Sequence, residues 1–324
     1  MRYFITGGAG FIGSNYVRGL LTGSWGTQVE AVTVFDSFTY AGNRNNLEPV
    51  KSDSRLTVVS GDIRIAEEID KALPGHDLVV HFAAESHVDR SIESSSVFVS
   101  TNVLGTQQML EASLRLKIPT FVHVSTDEVY GSIAEGSWDE NEPLLPNSPY
   151  AASKASSDLL ARSYARTYGL DVRITRCSNN FGTYQYPEKV IPLFVTNLID
   201  GFKIPLYGDG LNIRDWLHVD DHCRGIDLVA QSGKNGEVYN LGGGTELTNR
   251  ELTSLILGEF GYDDEMIEPV ADRLGHDRRY SVDWTKIHKE LGYSPSKSLE
   301  TNLSEVIDWY RSNEAWWRPL KSKR

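Results

Sequence analysis

A strand-like apolar run, Tyr3-Phe4-Ile5-Thr6, passes directly into glycines at positions 7, 10 and 13, and from there into a helical stretch that starts near Phe11. Few backbones accommodate that order. Glycine permits a tight turn and a close approach of one segment to another, and the helix presents unbonded N–H groups and a positive dipole end to an anion. The alternation continues with apolar runs at Ala31 to Phe35, Leu56 to Ser60, Leu78 to His81, Thr120 to Val124 and Val172 to Thr175. Between them, Phe11 to Leu21, Val97 to Leu116 and Ala151 to Tyr168 have helical period. Val, Ile and Leu runs without polar alternation fit strands buried on both faces, so the spacing predicts an α/β fold with a doubly wound parallel sheet.

After residue 178 the alternation loosens. Prolines and glycines crowd Pro187 to Gly210, Asp220 to Gln231 reads as a helix, Glu237 to Leu241 as a strand, and Leu299 to Trp317 as a last helix. The pattern predicts a dinucleotide-binding domain over 1–178, extended by segments around 215–241, and a smaller C-terminal α/β substrate domain over 179–324.

The function classes narrow on composition. The chain has 324 residues, 40% of them hydrophobic and 23% charged, which suits a globular small-molecule enzyme. No apolar run approaches the roughly 20 residues that span a bilayer, and the chain opens into a strand without a basic leader, so no membrane association and a cytoplasmic location are expected. The formal charge of -12 disfavours nucleic acid as a partner, and an anionic substrate has to meet a local basic cluster. Cys177 and Cys223 are too few and too far apart for a zinc site and read as buried thiols in a reducing compartment; no metal is expected. His81 and His123 fall in predicted strands and read as core residues, and Trp316-Trp317 as packing.

Asp36 ends the second strand, where a carboxylate accepts ribose hydroxyls and repels a 2′-phosphate, which favours NAD over NADP. Gly61-Asp62-Ile63 follows the third strand, where Asp62 can accept from an adenine amine, and Phe82-Ala83-Ala84 offers small side chains to a cofactor. Tyr150 and Lys154 share a helix face at i and i+4 after the helix-start signal Asn147-Ser148-Pro149. At about 5 Å and an effective dielectric near 20, the ammonium is worth roughly 3 kcal/mol to the phenolate, so Tyr150 is expected to have a lowered pKa and to act as a base. Thr126-Asp127-Glu128 follows the fifth strand, at the edge where open α/β sheets bind ligands. A plain alcohol dehydrogenase has no use for this second acid–base pair.

The glycine loop, Asp62-Ile63, His81-Phe82-Ala83-Ala84-Glu85-Ser86-His87-Val88-Asp89, Ser125-Thr126-Asp127-Glu128-Val129-Tyr130-Gly131 and Tyr150-x-x-x-Lys154 together resemble the extended short-chain dehydrogenase/reductase superfamily. Within it they are most similar to the dTDP-glucose 4,6-dehydratase family. The similarity continues through Asn179-Asn180-Phe181-Gly182, Pro187 to Pro192, Arg214-Asp215-Trp216 and Asp272 to Asp277, nearly the whole chain.

The resemblance implies a Rossmann-type fold, NAD as cofactor, dTDP-glucose as substrate and a homodimer. It assigns catalysis to Thr126, Asp127, Glu128, Tyr150 and Lys154. Cofactor contacts fall to Gly7, Gly10, Phe11, Ile12, Gly13, Asp36, Ser37, Thr39, Asp62, Ile63, Phe82, Ala83, Ala84, Ser86, Thr101, Tyr150, Lys154 and Asn180. Substrate contacts fall to Ser86, Thr126, Asn179, Lys189, Val190, Pro205, Tyr207, Arg214, Asn249, Arg273 and His276. Thr183 and Leu274 depart from the family, which has proline at both places. The implied chemistry is oxidation at carbon 4, loss of water across carbons 5 and 6, and hydride return to carbon 6. It makes one structural demand. Successive strand residues point to opposite faces, so the chain must leave strand geometry at Asp127 for both carboxylates to reach one sugar.

Overall fold

The computed structural model describes residues 1–321. The apolar runs form strands β1 (Arg2–Thr6), β2 (Ala31–Asp36), β3 (Leu56–Ser60), β4 (Leu78–His81), β5 (Thr120–Thr126) and β6 (Asp171–Cys177). The second half adds β7 (Asn179–Phe181), β8 (Ile204–Tyr207), β9 (Ile213–His218), β10 (Val238–Leu241), β11 (Glu246–Thr248) and β12 (Ile267–Val270). Seven strands make one parallel Rossmann-type sheet in the order β10-β6-β5-β4-β1-β2-β3. Every residue of β4 and β5 is buried, which is why their sequences lack alternation. The order reverses between β1 and β4, which opens a crevice at the carboxyl edge of the sheet. Of the segment around 215–241, residues 238–241 extend this sheet, whereas β9 pairs with β7 and β11 in a separate three-stranded sheet.

The helices are α1 (Phe11–Thr22), α2 (Ala66–Ala72), α3 (Val88–Glu93), α4 (Ser96–Phe98), α5 (Thr106–Arg115) and α6 (Pro149–Tyr168). They continue as α7 (Val190–Ile199), α8 (Val219–Ser232), α9 (Asn249–Phe260), α10 (Thr285–Leu291), α11 (Leu299–Ser312) and α12 (Glu314–Lys321). One sheet face is covered by Tyr16, Val17 and Leu20 of α1 with Ile226 and Val229 of α8, and the other by Met109 and Leu110 of α5 with Ala161 and Tyr164 of α6. A third core, built on Phe194, Ile256, Leu303, Ile307 and Trp317, joins α7, α9, α11 and α12. The α6 boundaries follow local chemistry: the Ser148 hydroxyl accepts from the Ala151 N–H, Pro149 occupies the first turn, and Gly169 closes the helix at φ 70°.

Two expected helices are interrupted. The stretch expected over Val97 to Leu116 contains a π-helical segment, Val99–Gly105. There the Asn102 amide accepts from the Glu85 N–H at 2.8 Å and donates to the Glu85 carbonyl at 3.0 Å and to the Ser153 hydroxyl at 2.8 Å. The widened turn thus ties the loop after β4 to α6. The helix expected over Leu299 to Trp317 breaks at Asn313, whose side-chain amide donates to the Trp309 carbonyl at 2.8 Å and whose backbone is non-helical at φ -121°, ψ 40°.

Beneath the crevice, Arg176 of β6 grips Asp158 of α6 with two bonds of 2.8 and 2.9 Å, and both side chains are fully buried. Arg176 also donates to the Tyr130 phenol at 2.7 Å, which donates to Asn240 of β10 at 2.9 Å. Removing one partner strands a buried charge, so Asp158→Ala should lower stability by about 3–5 kcal/mol in urea unfolding. The double change Asp158→Leu with Arg176→Met should recover most of it. A loss below about 1 kcal/mol in the single variant would show that the pair does not hold these elements together.

Candidate active site

A cleft of about 370 Å³ runs along the carboxyl edge of the sheet. Gly7 has φ +66°, and a Cβ there would stand 2.7 Å from the Ala83 backbone nitrogen. At Gly13 a Cβ would lie 2.3 Å from the Gly7 carbonyl oxygen, so the first two crossings of chain here tolerate no side chain. Among the described residues no side chain caps the amino end of α1 and no acid sits in its first turn. Its N–H groups are therefore available to an anion, which fits a dinucleotide pyrophosphate. Asp36 accepts from the Ala9 N–H at 2.9 Å and the Phe38 N–H at 2.8 Å, so it braces the glycine loop as well as lining the cleft; burial raises its pKa. Each carboxylate oxygen keeps another lone pair for a ribose hydroxyl. Asp62 is gripped by the Arg64 guanidinium at 2.5 Å, which holds its carboxyl below the usual range.

All the residues expected to contact the cofactor line this cleft. Others line it without having been anticipated, among them Asn43, Asn46, Tyr184, Gln185, Glu188 and Trp316. The tryptophan pair divides its work. Trp317 is fully buried, with its indole N–H on the Tyr310 carbonyl at 2.8 Å, as expected of packing. Trp316 instead faces the cleft, donates to the Asn46 side-chain oxygen at 2.9 Å and stands against the Tyr184 ring. Nothing local in the sequence marks a contact between groups so far apart in the chain.

The chain leaves strand geometry where the chemistry required. β5 ends at Thr126 and a 3₁₀ turn, Asp127–Tyr130, follows at once. The Thr126 hydroxyl accepts from the Glu128 N–H at 3.3 Å and donates to Asp127 Oδ1 at 3.2 Å. Asp127, Glu128, Tyr150 and Lys154 then line one cleft. Asp127 is 2% exposed, and its Oδ2 is buried with no protein partner among the described residues. Burial pushes its pKa well above the usual carboxylate value, and the charges of Glu128 and Asp215 add to this. Burial raises Glu128 too, against the opposing field of Arg273, Arg214 and Lys189.

The expected lowering of the Tyr150 pKa is not what the structure shows. Burial raises it, and the neighbouring Glu128 charge raises it further. Lys154 donates to the Val124 carbonyl at 2.8 Å, and burial lowers its own pKa to about 8. The ammonium is anchored to the strand and is itself desolvated, so the carboxylates dominate the field at the phenol.

The residues expected to bind the rest of the substrate divide. Ser86, Thr126, Asn179 and Lys189 line the cleft, and Lys189 donates to the Ser86 carbonyl at 2.7 Å. Val190 at the start of α7, Pro205 and Tyr207 in β8, Arg214 in β9, Asn249 at the start of α9, and Arg273 and His276 in the loop after β12 lie outside its lining. Arg214 sits 4.2 Å over the Tyr280 ring and donates to the Asp277 carbonyl at 3.0 Å. Arg273 approaches Asp89 at 3.8 Å, with its Nε buried and unpartnered among the described residues. His276 pairs with Asp272 at 2.6 Å. Leu274 is 77% exposed, so proline is not needed there for packing. Thr183 offers its carbonyl to Asn15 at 3.4 Å. His81 is a satisfied core residue, bonded by Thr6 at 2.7 Å and Thr106 at 3.0 Å and held neutral by burial. His123 is buried against the Ser157 hydroxyl, and Cys177 and Cys223 are free and buried.

Fold and site together define a dinucleotide-dependent enzyme of the extended short-chain dehydrogenase/reductase kind, with a second acid–base pair added to the Tyr/Lys pair. The sequence model of the GDP-mannose 4,6 dehydratase family matches residues 4–306. The chain is 59% identical to a dTDP-glucose 4,6-dehydratase of Streptomyces antibioticus, across 100% of this chain and 96% of that protein. A crystal structure of the dTDP-glucose 4,6-dehydratase from Streptomyces venezuelae, with NAD bound, superposes with a TM-score of 0.98 at 60% identity, covering 99% of this chain and 100% of that one. The UDP-glucose 4-epimerase of Thermus thermophilus, also solved with NAD, gives 0.87 at 29% identity, over 97% and 100%. The chain belongs to this family of nucleotide-sugar 4,6-dehydratases, and within it to the dTDP-glucose 4,6-dehydratases.

The raised pKa of Asp127 has a stability consequence. The folded state holds the proton more tightly than the unfolded state, so this group's contribution falls as pH rises above the unfolded value of about 4. Asp127→Asn should therefore stabilise the protein at neutral pH by about 1–3 kcal/mol, and the gain should vanish below about pH 4. Thermal melts of both proteins across that range check this. A gain that is independent of pH would remove buried ionisation at Asp127 as its cause.

Proposed function

We infer that the protein is an NAD-dependent dTDP-glucose 4,6-dehydratase, a hydro-lyase of deoxysugar biosynthesis that converts dTDP-glucose to dTDP-4-keto-6-deoxyglucose and water. The observation that carries this reading is the turn at Asp127, which brings the buried Asp127 carboxyl and the half-buried Glu128 carboxyl into the cleft that holds Tyr150. The carbon 5 proton of glucose is not acidic, and a ketone at carbon 4 makes it so. NAD, when bound, accepts the carbon 4 hydride and returns it to carbon 6, so the cofactor ends as it began. Tyr150 takes the proton of the 4-hydroxyl while Thr126 hydrogen-bonds the same oxygen. Lys154 holds the base of α6 against β5 and places a positive charge beneath the reacting group. Glu128 removes the carbon 5 proton and Asp127 protonates the departing 6-hydroxyl, general base and acid work worth about 10²- to 10⁴-fold each. Asp127 must be protonated to do this, and its burial works in that direction.

Lys189, Arg214 and Arg273 supply positive charge to the nucleotide diphosphate on this acidic protein. Asn179, Ser86, Val190, Pro205, Tyr207, Asn249 and His276 are assigned to the nucleotide sugar. In this reading residues 1–178 form the NAD domain, with β10 added, and the rest the nucleotide-sugar domain. A homodimer is supported by apolar side chains left exposed beside α5 and on α6, Val99, Leu104 and Leu159. Free buried thiols suit a reducing cytoplasm.

Mass spectrometry after incubation with dTDP-glucose and, in parallel, UDP-glucose tests the assignment. Loss of one water from dTDP-glucose is expected, and an unchanged mass would overturn it in favour of epimerisation. Glu128→Gln should slow loss of the carbon 5 proton by about 10²- to 10⁴-fold while the near-ultraviolet absorbance of reduced nicotinamide still rises. Normal dehydration by that variant would rule out Glu128 as the base.

A further inference from the structure

A redox-neutral cycle requires the dinucleotide to stay in place. Between oxidation at carbon 4 and reduction at carbon 6 the sugar lacks the hydride it must regain, and a cofactor lost in that interval leaves an unsaturated ketone with no reductant. Helix α12, from the far end of the chain, touches the cleft where such a loss would be resisted. Its Trp316 and Leu320, at i and i+4, both line the cleft. The rest of the helix is fixed to the substrate domain. Trp317 is buried in the third core, and Arg318 and Lys321 each reach Asp200, at the end of α7, at 2.8 Å.

We propose that Trp316 is a cofactor-retaining residue, which fastens α12 through Asn46 to the glycine loop and slows the departure of NAD. The inference rests on the NAD-dependent dehydratase reading of the cleft. The Trp316 indole N–H donates to Asn46 Oδ1 at 2.9 Å, and the Asn46 amide donates in turn to the Ala9 carbonyl at 2.9 Å. Ala9 lies between Gly8 and Gly10, and its carbonyl also accepts from the Asn43 N–H at 3.0 Å while its own N–H is held by Asp36. Two hydrogen bonds therefore separate α12 from the loop expected to hold the pyrophosphate. Asn46 is 2% exposed, so an acceptor that loses the indole there finds little water to replace it.

The opposite wall of the cleft is tied to the same tryptophan. Tyr184 lines the cleft with a left-handed backbone, φ 66°, which a bulky residue keeps only where its surroundings enforce it. Arg18 of α1 lies 4.1 Å over its ring, and Trp309 and Trp316 pack against it with centroids 4.5 and 5.6 Å away. Arg18 also donates to the Asn46 carbonyl at 2.5 Å. The Leu320 carbonyl accepts from the Tyr186 phenol at 3.3 Å. Trp316 thus joins the glycine loop, the start of the anion-binding helix and the Tyr184 loop, three segments that line one cofactor cleft.

The test is exchange of radiolabelled NAD from the loaded full-length enzyme into excess unlabelled NAD, sampled by rapid filtration. Trp316→Phe keeps a ring in the aromatic cluster and removes the indole N–H, so label should leave about 3- to 10-fold faster, the range set by one hydrogen bond. Asn46→Ala should lose label at least as fast, and adding Trp316→Phe to it should change the rate by less than about 2-fold, because both act through the same bond. Trp309→Phe, which alters the cluster without touching that bond, should stay within about 2-fold of wild type. Unchanged exchange in Trp316→Phe, even with a lowered melting temperature of the NAD-free protein, overturns the proposal and leaves Trp316 as packing. Additive effects in the double variant, or equal acceleration in Trp309→Phe, overturn it as well; in all three cases the dehydratase reading stands. A wild type that binds no label removes both.

Discussion

Burial of a parallel sheet on both faces is the constraint on which the rest depends. With β4 and β5 wholly buried, each strand can be joined to the next only by a crossover that packs on a face. Every such crossover begins at the carboxyl edge. The loops that carry the glycines, Asp36, Asp62, the Phe82-Ala83-Ala84 run and the Thr126 turn are all gathered there, and the reversal between β1 and β4 opens the crevice they line. The Arg176–Asp158 pair holds the floor of that crevice by joining β6 to α6, the helix that carries Tyr150 and Lys154.

The same burial sets the chemistry. Desolvation is the largest influence at Asp127, Glu128, Tyr150 and Lys154, and it pushes each toward its neutral form. The roles diverge through neighbours. Glu128 feels Arg273, Arg214 and Lys189, which favour its anion and hence a base. Asp127 feels the carboxylates Glu128 and Asp215 most strongly, which favour its acid form. Two adjacent carboxyls with divergent surroundings are what an elimination requires, and the hydroxyl of Thr126 touches the acid.

Much of the site was legible because it lies in short local motifs at strand ends. Gly7, Gly10 and Gly13, Asp36 and the Thr126-Asp127-Glu128 triplet announce their positions by spacing from an apolar run, and all line the cleft. Trp316 and Asn46 were not legible, since their bond joins a C-terminal helix to a 3₁₀ segment, Arg44–Val50, after the second strand. The π-helical turn at Val99–Gly105 was hidden for a similar reason. It is set by the bonds of Asn102 to Glu85 and Ser153, and helical period alone cannot register them. The rise in the Tyr150 pKa was not legible, because i,i+4 spacing places Lys154 on the right helix face but does not register the burial of the phenol or the Glu128 charge beside it.

The sequence by itself determined the strand order's raw material, the anion-binding helix start and the identity of the reacting groups. These depend on residue type and on spacing within a few positions, which covalent geometry and hydrogen bonding convert directly into local structure. Tertiary structure alone decided which of those groups share a cleft, how dry it is and which charges face one another. Such quantities are set by segments distant in the chain, among them Arg214 and Arg273, which act on Glu128 only because the second half of the chain folds back over the edge of the sheet.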